Sequence, residues 1–260
     1  MIPLADENPS GKKPYVVYAL VILNILAYIY DVLGAQGPFG LLWNYSMIPY
    51  SVIHNVPVMQ KLPVVYNGMQ GVVERLHQGL QPQWLTIFTS MFMHGGLAHI
   101  GFNMLYLWIF GNNIEDALGH IKFLFFYLGC GVLAALAHIY SGPNSTIPTV
   151  GASGAIAGVL GAYLILFPRN SVRTLIMLGW FWDFVDIPAI FVLGSWFVIQ
   201  IVSGLFGAAG MQGGGVAYWA HVGGFLAGVV LIIVMGGRKY VRRQRATMDP
   251  YNERPYPWRR

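Results

Sequence analysis

Residues 148–161 read PTVGASGAIAGVLG, and the interpretation of the whole chain depends on this stretch. Small residues recur in it at Gly154, Gly158 and Gly161, a spacing that lets a second helix approach closely within a membrane. Ser153 lies where this apolar run begins. Most serines in membrane helices only form hydrogen bonds between helices, so Ser153 by itself is better explained as a structural residue.

The composition is that of an integral membrane protein. Of the 260 residues, 56% are hydrophobic and only 10% are charged, whereas about a quarter of a soluble domain is charged. The sequence shows neither an internal repeat nor a separate soluble domain, so we expect one membrane domain. The single cysteine, Cys130, lies in an apolar stretch and should be a buried, unreactive thiol.

Six apolar segments predict an all-α bundle of six transmembrane helices. The predicted spans are residues 15–33, 95–110, 121–140, 151–167, 187–202 and 217–235. They divide the chain into an N-terminal cytoplasmic segment (1–14), a membrane domain (15–236) with a long external loop (34–84), and a basic cytoplasmic tail (237–260). Prolines interrupt the external loop repeatedly, which favours short pieces at the membrane surface over another span.

The basic residues predict the orientation in the membrane. With both termini in the cytoplasm, Lys61 and Arg75 are the only basic residues outside, as the positive-inside rule requires. The basic cluster at 238–245 abuts the last span, so the net charge of +5 is better explained by contact with anionic lipid headgroups than with nucleic acid. The first residues lack the character of a transit peptide, so we expect a bacterial or archaeal plasma membrane, with an organelle membrane as the alternative.

Two further segments place polar side chains in predicted spans. His94, His99 and Asn103 have the spacing HxxxxHxxxN at the start of the second span, and His221 lies in an AHxxGxxxG motif in the sixth. Because polar groups are costly in a bilayer, such residues indicate function. If no other motif were present, hydrogen bonds between helices would be the better explanation of His99 and Asn103.

The three motifs, in this order on separate helices, resemble the rhomboid family of intramembrane serine proteases. The remaining motif, GxSG, consists of Gly151, Ser153 and Gly154, and the resemblance extends over roughly residues 84–234. It implies a membrane-embedded protease whose substrates are single-span membrane proteins, cut near the outer end of a locally unstable helix. We expect neither a cofactor nor a metal ion.

The predicted topology brings Ser153 and His221 to similar depths on the outer side of the membrane. A serine hydroxyl needs an adjacent base to attack at neutral pH, and His221 would be that base. Acidic residues such as Glu115 and Asp183 fall at the other side of the membrane. The sequence therefore predicts a Ser–His dyad and not a triad.

The resemblance also implies roles for residues around the dyad. The side chains of His99 and Asn103 and the backbone N–H of Ser153 would form the oxyanion hole, with His94, Gly151 and Gly154 supporting it. Small residues would let the fourth and sixth helices pack closely, and they include Gly158, Gly224 and Gly228.

Two features of the site stay open at this level. Many family members have an aromatic residue four positions after the serine, stacked on the histidine, where this chain has Ala157. Tyr218, Trp219 and Tyr106 are candidates to replace it. The glycine-dense segment 204–215 is either a lid over the dyad or only a flexible connection.

Other classes of protein fit less well. A zinc enzyme built on the histidines would need an HExxH motif or a nearby carboxylate, and a transporter would show inverted repeats or charged groups near the midplane of the bilayer. The remaining alternative is a catalytically inactive rhomboid-like protein that binds membrane helices for trafficking or quality control. Such proteins usually lack the serine or the histidine, and this chain has both.

Overall fold

The structure is a computed structural model of the chain. It describes residues 1–8, 10–34, 41–66, 69–208, 216–237 and 239. Within these residues the helices are α1 (Tyr15–Gly34), α2 (Leu41–Tyr45), α3 (Pro49–His54), α4 (Thr86–Thr89), α5 (Leu97–Leu118), α6 (His120–Ser141), α7 (Ser153–Leu166), α8 (Ala189–Ala208) and α9 (Tyr218–Val234). The strands are β1 (Ile2–Asp6), β2 (Val58–Tyr66), β3 (Met69–His77), β4 (Ser171–Leu178) and β5 (Phe181–Pro188).

Each predicted span corresponds to one of the longer helices, α1 and α5 to α9. In the described part of the chain, three helices are long and apolar enough to cross a membrane: Tyr15–Gly34, His120–Ser141 and Ala189–Gly207. Two shorter apolar helices, Ser153–Leu166 and Tyr218–Val234, lie beside them. The structure is therefore mostly helical, with the apolar helices of a membrane protein.

Helix α5 continues to Leu118, past the predicted end at residue 110. The prediction stopped where the sequence becomes polar, but the polar side chain of Glu115 is buried and has hydrogen-bond partners. Its carboxylate accepts hydrogen bonds from the backbone N–H groups of Val16 (2.9 Å) and Val17 (2.8 Å) at the start of α1. Glu115 thus caps the N-terminus of α1, where negative charge is favourable.

The expectation of an all-α chain was wrong in three segments. Strands β4 and β5 form an antiparallel hairpin between α7 and α8, and β1 pairs with β4, so the sheet order is β1-β4-β5. Strands β2 and β3 form a second antiparallel hairpin within the predicted external loop. A search for apolar spans does not detect such strands, because they are short and carry charged residues such as Arg173 and Asp186, which face each other in register.

Helix α7 lies at the centre of the bundle. All its residues from Gly154 to Tyr163 are buried, and it contacts α5, α6, α8 and α9. Its residues are small or apolar on every face, as expected of a helix that has neighbours all round. In contrast, α1 lies at the periphery, because its buried residues are Val17, Leu20 and Asn24. The fold therefore surrounds the Ser153 helix with the rest of the bundle.

The N-terminal segment closes the end of α7 that is remote from Ser153. The carboxylate of Asp6, the last residue of β1, accepts hydrogen bonds from the hydroxyl of Tyr163 (2.7 Å) and from the amide of Asn113 (2.7 Å). Burial raises the pKa of Asp6 from 3.8 to about 6, although these hydrogen bonds oppose the shift. The packing of β1 against the bundle is therefore sensitive to the ionisation of one carboxyl group.

Replacing Asp6 by asparagine should make the stability less dependent on pH. Because the pKa of Asp6 is raised on folding, its neutral form stabilises the fold fully below pH 3.8, and this stabilisation is lost as the pH rises through 6. The melting temperature in detergent should fall between about pH 4 and pH 6.5 in the wild type and fall less in Asp6→Asn. The exposed Asp183→Asn control should behave like the wild type, and equal pH dependence in Asp6→Asn would contradict the assignment.

Candidate active site

Ser153 begins α7, and the segment before it is held on both sides. Thr149 exchanges backbone hydrogen bonds with Met47 (3.0 and 2.8 Å), and the N–H of Gly151 donates to the carbonyl of Ser90 (2.8 Å). The φ angle of Gly151 is 122°, a conformation that favours glycine. This fixed turn sets the position of Ser153 at the N-terminus of the central helix.

His221 lies in the first turn of α9, and its side chain reaches Ser153. The distance from His221 Nε2 to Ser153 Oγ is 2.7 Å, within hydrogen-bond range. The two residues are 68 positions apart in sequence, so only the packing of α9 on α7 brings them together. The structure thus joins the two residues that the sequence predicted as a dyad.

Glycines allow this packing of α9 on α7. A Cβ atom at Gly224 would overlap the carbonyl oxygen of Gly154, and one at Gly228 would overlap that of Gly158. The two backbones are therefore in direct contact, as in other helix pairs with small residues at their interface. At Gly154, a Cβ atom would instead meet the methyl group of Ala134, 2.7 Å away.

The predicted oxyanion-hole side chains lie beside Gly151, two residues before Ser153. A Cβ atom on Gly151 would be 2.8 Å from His99 Nε2 and 3.7 Å from Asn103 Nδ2. Asn103 is buried, and its Nδ2 has no hydrogen-bond partner among the described residues. An unpartnered buried donor is costly, and here it is available to an incoming oxygen atom.

These residues line one cavity. It has a volume of about 560 Å³, and its walls include Ser153, His221, His99, Asn103 and Gly151. Most of the remaining wall is apolar. A cavity of this size, mostly apolar with a few convergent polar groups, is typical of a binding site for part of a substrate.

His94 supports the cavity wall from behind. Its ring packs edge-on against the ring of His99, with the centroids 5.1 Å apart and the planes at 69°. Burial, and secondarily the neighbouring His99, lower the pKa of His94 to about 4, so His94 is neutral near pH 7. Its position fits a residue that holds His99 in place, and it is not itself among the cavity-lining residues.

Sequence reasoning did not assign either of two further residues to the contacts of His221. The ring of Trp196, on α8, lies against that of His221, with centroids 5.7 Å apart and planes at 35°. It occupies the place for which Tyr218, Trp219 and Tyr106 were the candidates. Gln200, also on α8, has its Oε1 atom 2.8 Å from His221 Nδ1.

A signal for both residues was present in the sequence. They are four positions apart, which places them on one face of the fifth span, and Gln200 is a polar residue within an apolar helix. The first part of the predicted lid segment, residues 204–208, is helical, because α8 continues to Ala208. The rest of the predicted lid, residues 209–215, and residues 240–260 of the predicted tail lie outside the described residues.

Substituting a glycine of the α7–α9 contact should destabilise the bundle. In Gly228→Ala the new methyl group would overlap the backbone of Gly158, so the helices must separate. We expect the melting temperature to fall by about 5 °C or more. Gly194→Ala is the matched control, since nothing lies within 4 Å of a Cβ atom there. Its melting temperature should stay the same or rise, and an equal loss in both variants would contradict the backbone contact.

Comparison with known proteins identifies relatives of this chain. A family model described as "Rhomboid domain" matches residues 81–238. "Rhomboid protein 1, mitochondrial" of Saccharomyces cerevisiae is 31% identical over 247 residues, which cover 86% of this chain and 65% of that protein. "Rhomboid protease GluP" of Bacillus subtilis is 37% identical over 99 residues, which cover 38% of this chain and 19% of that protein.

A further relative is "Rhomboid-like protein 11, chloroplastic" of Arabidopsis thaliana, 30% identical over 159 residues that cover 58% of this chain and 52% of that protein. The chain thus spans less than two thirds of the length of each of these relatives. Two of these relatives are named as a mitochondrial and a chloroplastic protein. The location of this chain in a bacterial or archaeal plasma membrane therefore stays a prediction. The family model covers more than half of the chain, and the chain belongs to the rhomboid family of membrane proteins.

Proposed function

We propose that this protein is an intramembrane serine endopeptidase that uses a dyad of Ser153 and His221. The observation that carries the proposal is the 2.7 Å distance between Ser153 Oγ and His221 Nε2. A hydroxyl within hydrogen-bond range of an imidazole nitrogen can transfer its proton as it attacks. Membership of the rhomboid family, with relatives named as proteases, supports the same reaction.

The first half of the reaction forms an acyl-enzyme. His221 Nε2 takes the proton of Ser153 as Oγ bonds to the carbonyl carbon of the scissile peptide. The tetrahedral intermediate then collapses, the carbon–nitrogen bond breaks, and the imidazolium of His221 gives its proton to the leaving amine. In the second half, His221 activates a water molecule that hydrolyses the ester and regenerates Ser153.

The negative oxygen of the intermediate needs donors that are in place beforehand. We assign this role to the backbone N–H of Ser153 and to the side chains of His99 and Asn103. The unpartnered Nδ2 of Asn103 supports the assignment, because no existing hydrogen bond must break when the oxyanion forms. Donors of this kind are preorganised and therefore stabilise the transition state more than the substrate.

The proposed membrane arrangement has six spans, α1 and α5 to α9, with both termini in the cytoplasm. Helix α7 has 14 residues and is about 21 Å long, which is shorter than the roughly 30 Å hydrocarbon core. Its N-terminus would therefore lie below the outer surface, where Ser153 can meet water. Substrates would be single-span membrane proteins, and the basic tail would contact anionic lipid headgroups.

Labelling with a fluorophosphonate, which reacts with activated serines, tests the dyad. The purified protein in detergent should be labelled, and Ser153→Ala and His221→Ala should each reduce labelling by more than about 100-fold. Ser195→Ala is the control, because the hydroxyl of Ser195 donates to the carbonyl of Val192 within α8. Wild-type protein that is folded but not labelled would instead favour the inactive, helix-binding alternative, and equal labelling of Ser153→Ala would exclude Ser153 as the nucleophile.

Removing one oxyanion donor should slow the chemical step without weakening substrate binding. For Asn103→Ala we expect kcat to fall about 100-fold, with KM little changed, because the donor acts in the transition state. The assay is cleavage of a single-span reporter substrate in proteoliposomes. Asn144→Ala, an exposed loop residue, is the control, and a large rise in KM at constant kcat would show that Asn103 binds substrate instead.

A further inference from the structure

Gln200 makes the second polar contact of His221. Its side chain is buried, with 8% of its surface exposed. Its Oε1 atom lies 2.8 Å from His221 Nδ1, on the side of the ring opposite the 2.7 Å contact between Nε2 and Ser153. The imidazole is therefore held at both nitrogens, by α8 on one side and by α7 on the other.

With Oε1 of Gln200 facing Nδ1, this contact favours one tautomer of His221. An amide oxygen only accepts hydrogen bonds, so Nδ1 must donate to Oε1 and bear the hydrogen. In the neutral ring, Nε2 then has the free lone pair. Nε2 is the atom next to Ser153 Oγ, so Gln200 selects the tautomer that can act as a base.

The chemistry also indicates why an amide is suited to this position. In soluble serine proteases a buried aspartate holds the histidine in this way, but a buried carboxylate within an apolar bundle carries a large desolvation cost. The amide oxygen supplies an acceptor without a net charge. Among the described residues, the titratable groups that act on His221 from neighbouring helices are His99 and His138, and neither is a carboxylate.

We propose that Gln200 is a positioning residue that fixes the tautomer and the orientation of His221. Trp196, one turn earlier on α8, lies on the same ring and restricts its tilt, while Gln200 restricts its rotation about the ring axis. The inference rests on the proposed dyad for its effect on rate. The hydrogen bond itself can be tested independently of catalysis.

The test compares two substitutions of nearly the same size. Gln200→Met preserves the shape of the side chain but has no acceptor, whereas Gln200→Glu keeps the acceptor and adds a charge. The limiting rate of fluorophosphonate labelling should fall about 10- to 100-fold in Gln200→Met, with the half-saturating concentration unchanged. Gln200→Glu should keep most of the rate above about pH 8. In the pH–rate profile of Gln200→Glu, the acidic limb should move to higher pH, because the carboxylate stabilises the imidazolium of His221.

The opposite outcomes would overturn the proposal. Wild-type rates and pH dependence in Gln200→Met would show that Gln200 only fills space. Equal loss of rate in Gln200→Met and Gln200→Glu, with unchanged melting temperatures, would show that the side chain acts as a donor. Ile199→Met, an exposed neighbour on α8, is the control for substitution in this helix.

A spectroscopic measurement separates this inference from the proposed function. In protein labelled with ¹⁵N-histidine, the resonances of His221 can be assigned by comparison with His221→Gln. We expect Nδ1 to be protonated and Nε2 to be unprotonated near pH 8, and this pattern to be lost in Gln200→Met. The opposite tautomer in the wild type would refute the proposal even if the enzyme is active. If the expected tautomer is found in a protein that does not react with the fluorophosphonate, only the proposed function would be refuted.

Discussion

The direct contact between the backbones of α7 and α9 is the constraint on which the site depends. Ser153 and His221 are each in the first turn of their helices, so the separation of the helices sets the separation of the two side chains. A hydrogen bond tolerates a change of only a few tenths of an ångström in the distance between donor and acceptor. Glycine at positions 224 and 228 lets the two backbones come into direct contact, and a methyl group there would force the helices apart. The short distance between Ser153 and His221, on which the proposed chemistry depends, is therefore a consequence of residues that carry no functional group.

The opposite end of α7 is held by a different kind of interaction. There the hydroxyl of Tyr163 donates to the carboxylate of Asp6, and Glu115 caps α1. These polar contacts join the N-terminal segment to the bundle, whereas glycine contacts and apolar packing hold the part of α7 that carries Ser153. The central helix is therefore fixed at one end by hydrogen bonds and along its length by close packing.

Much of this arrangement was predictable from local sequence. Six apolar segments correspond to six helices, and the motifs around Ser153 and His221 identify residues that the fold places together. The strands between α7 and α8 were not predictable in this way, because they are short and carry charged residues. In addition, β4 pairs with β1, which is distant in sequence. Likewise, polarity suggested that α5 ends at residue 110, but the partners of Glu115 lie in another segment. The spacing of Trp196 and Gln200 places them on one face of their helix, but only the packing of α8 shows that this face meets His221.

Helix α8 supplies both the ring that covers His221 and the acceptor for its Nδ1. These contacts come from residues one turn apart on a single helix, so they are made or lost together. If α8 shifts, the imidazole is released to rotate and to exchange its proton between the two nitrogens, even though Ser153 and His221 stay on helices that have not moved. In the proposed mechanism, Ser153 on α7 and His221 on α9 would therefore be competent for catalysis only while a third helix, α8, is packed against His221.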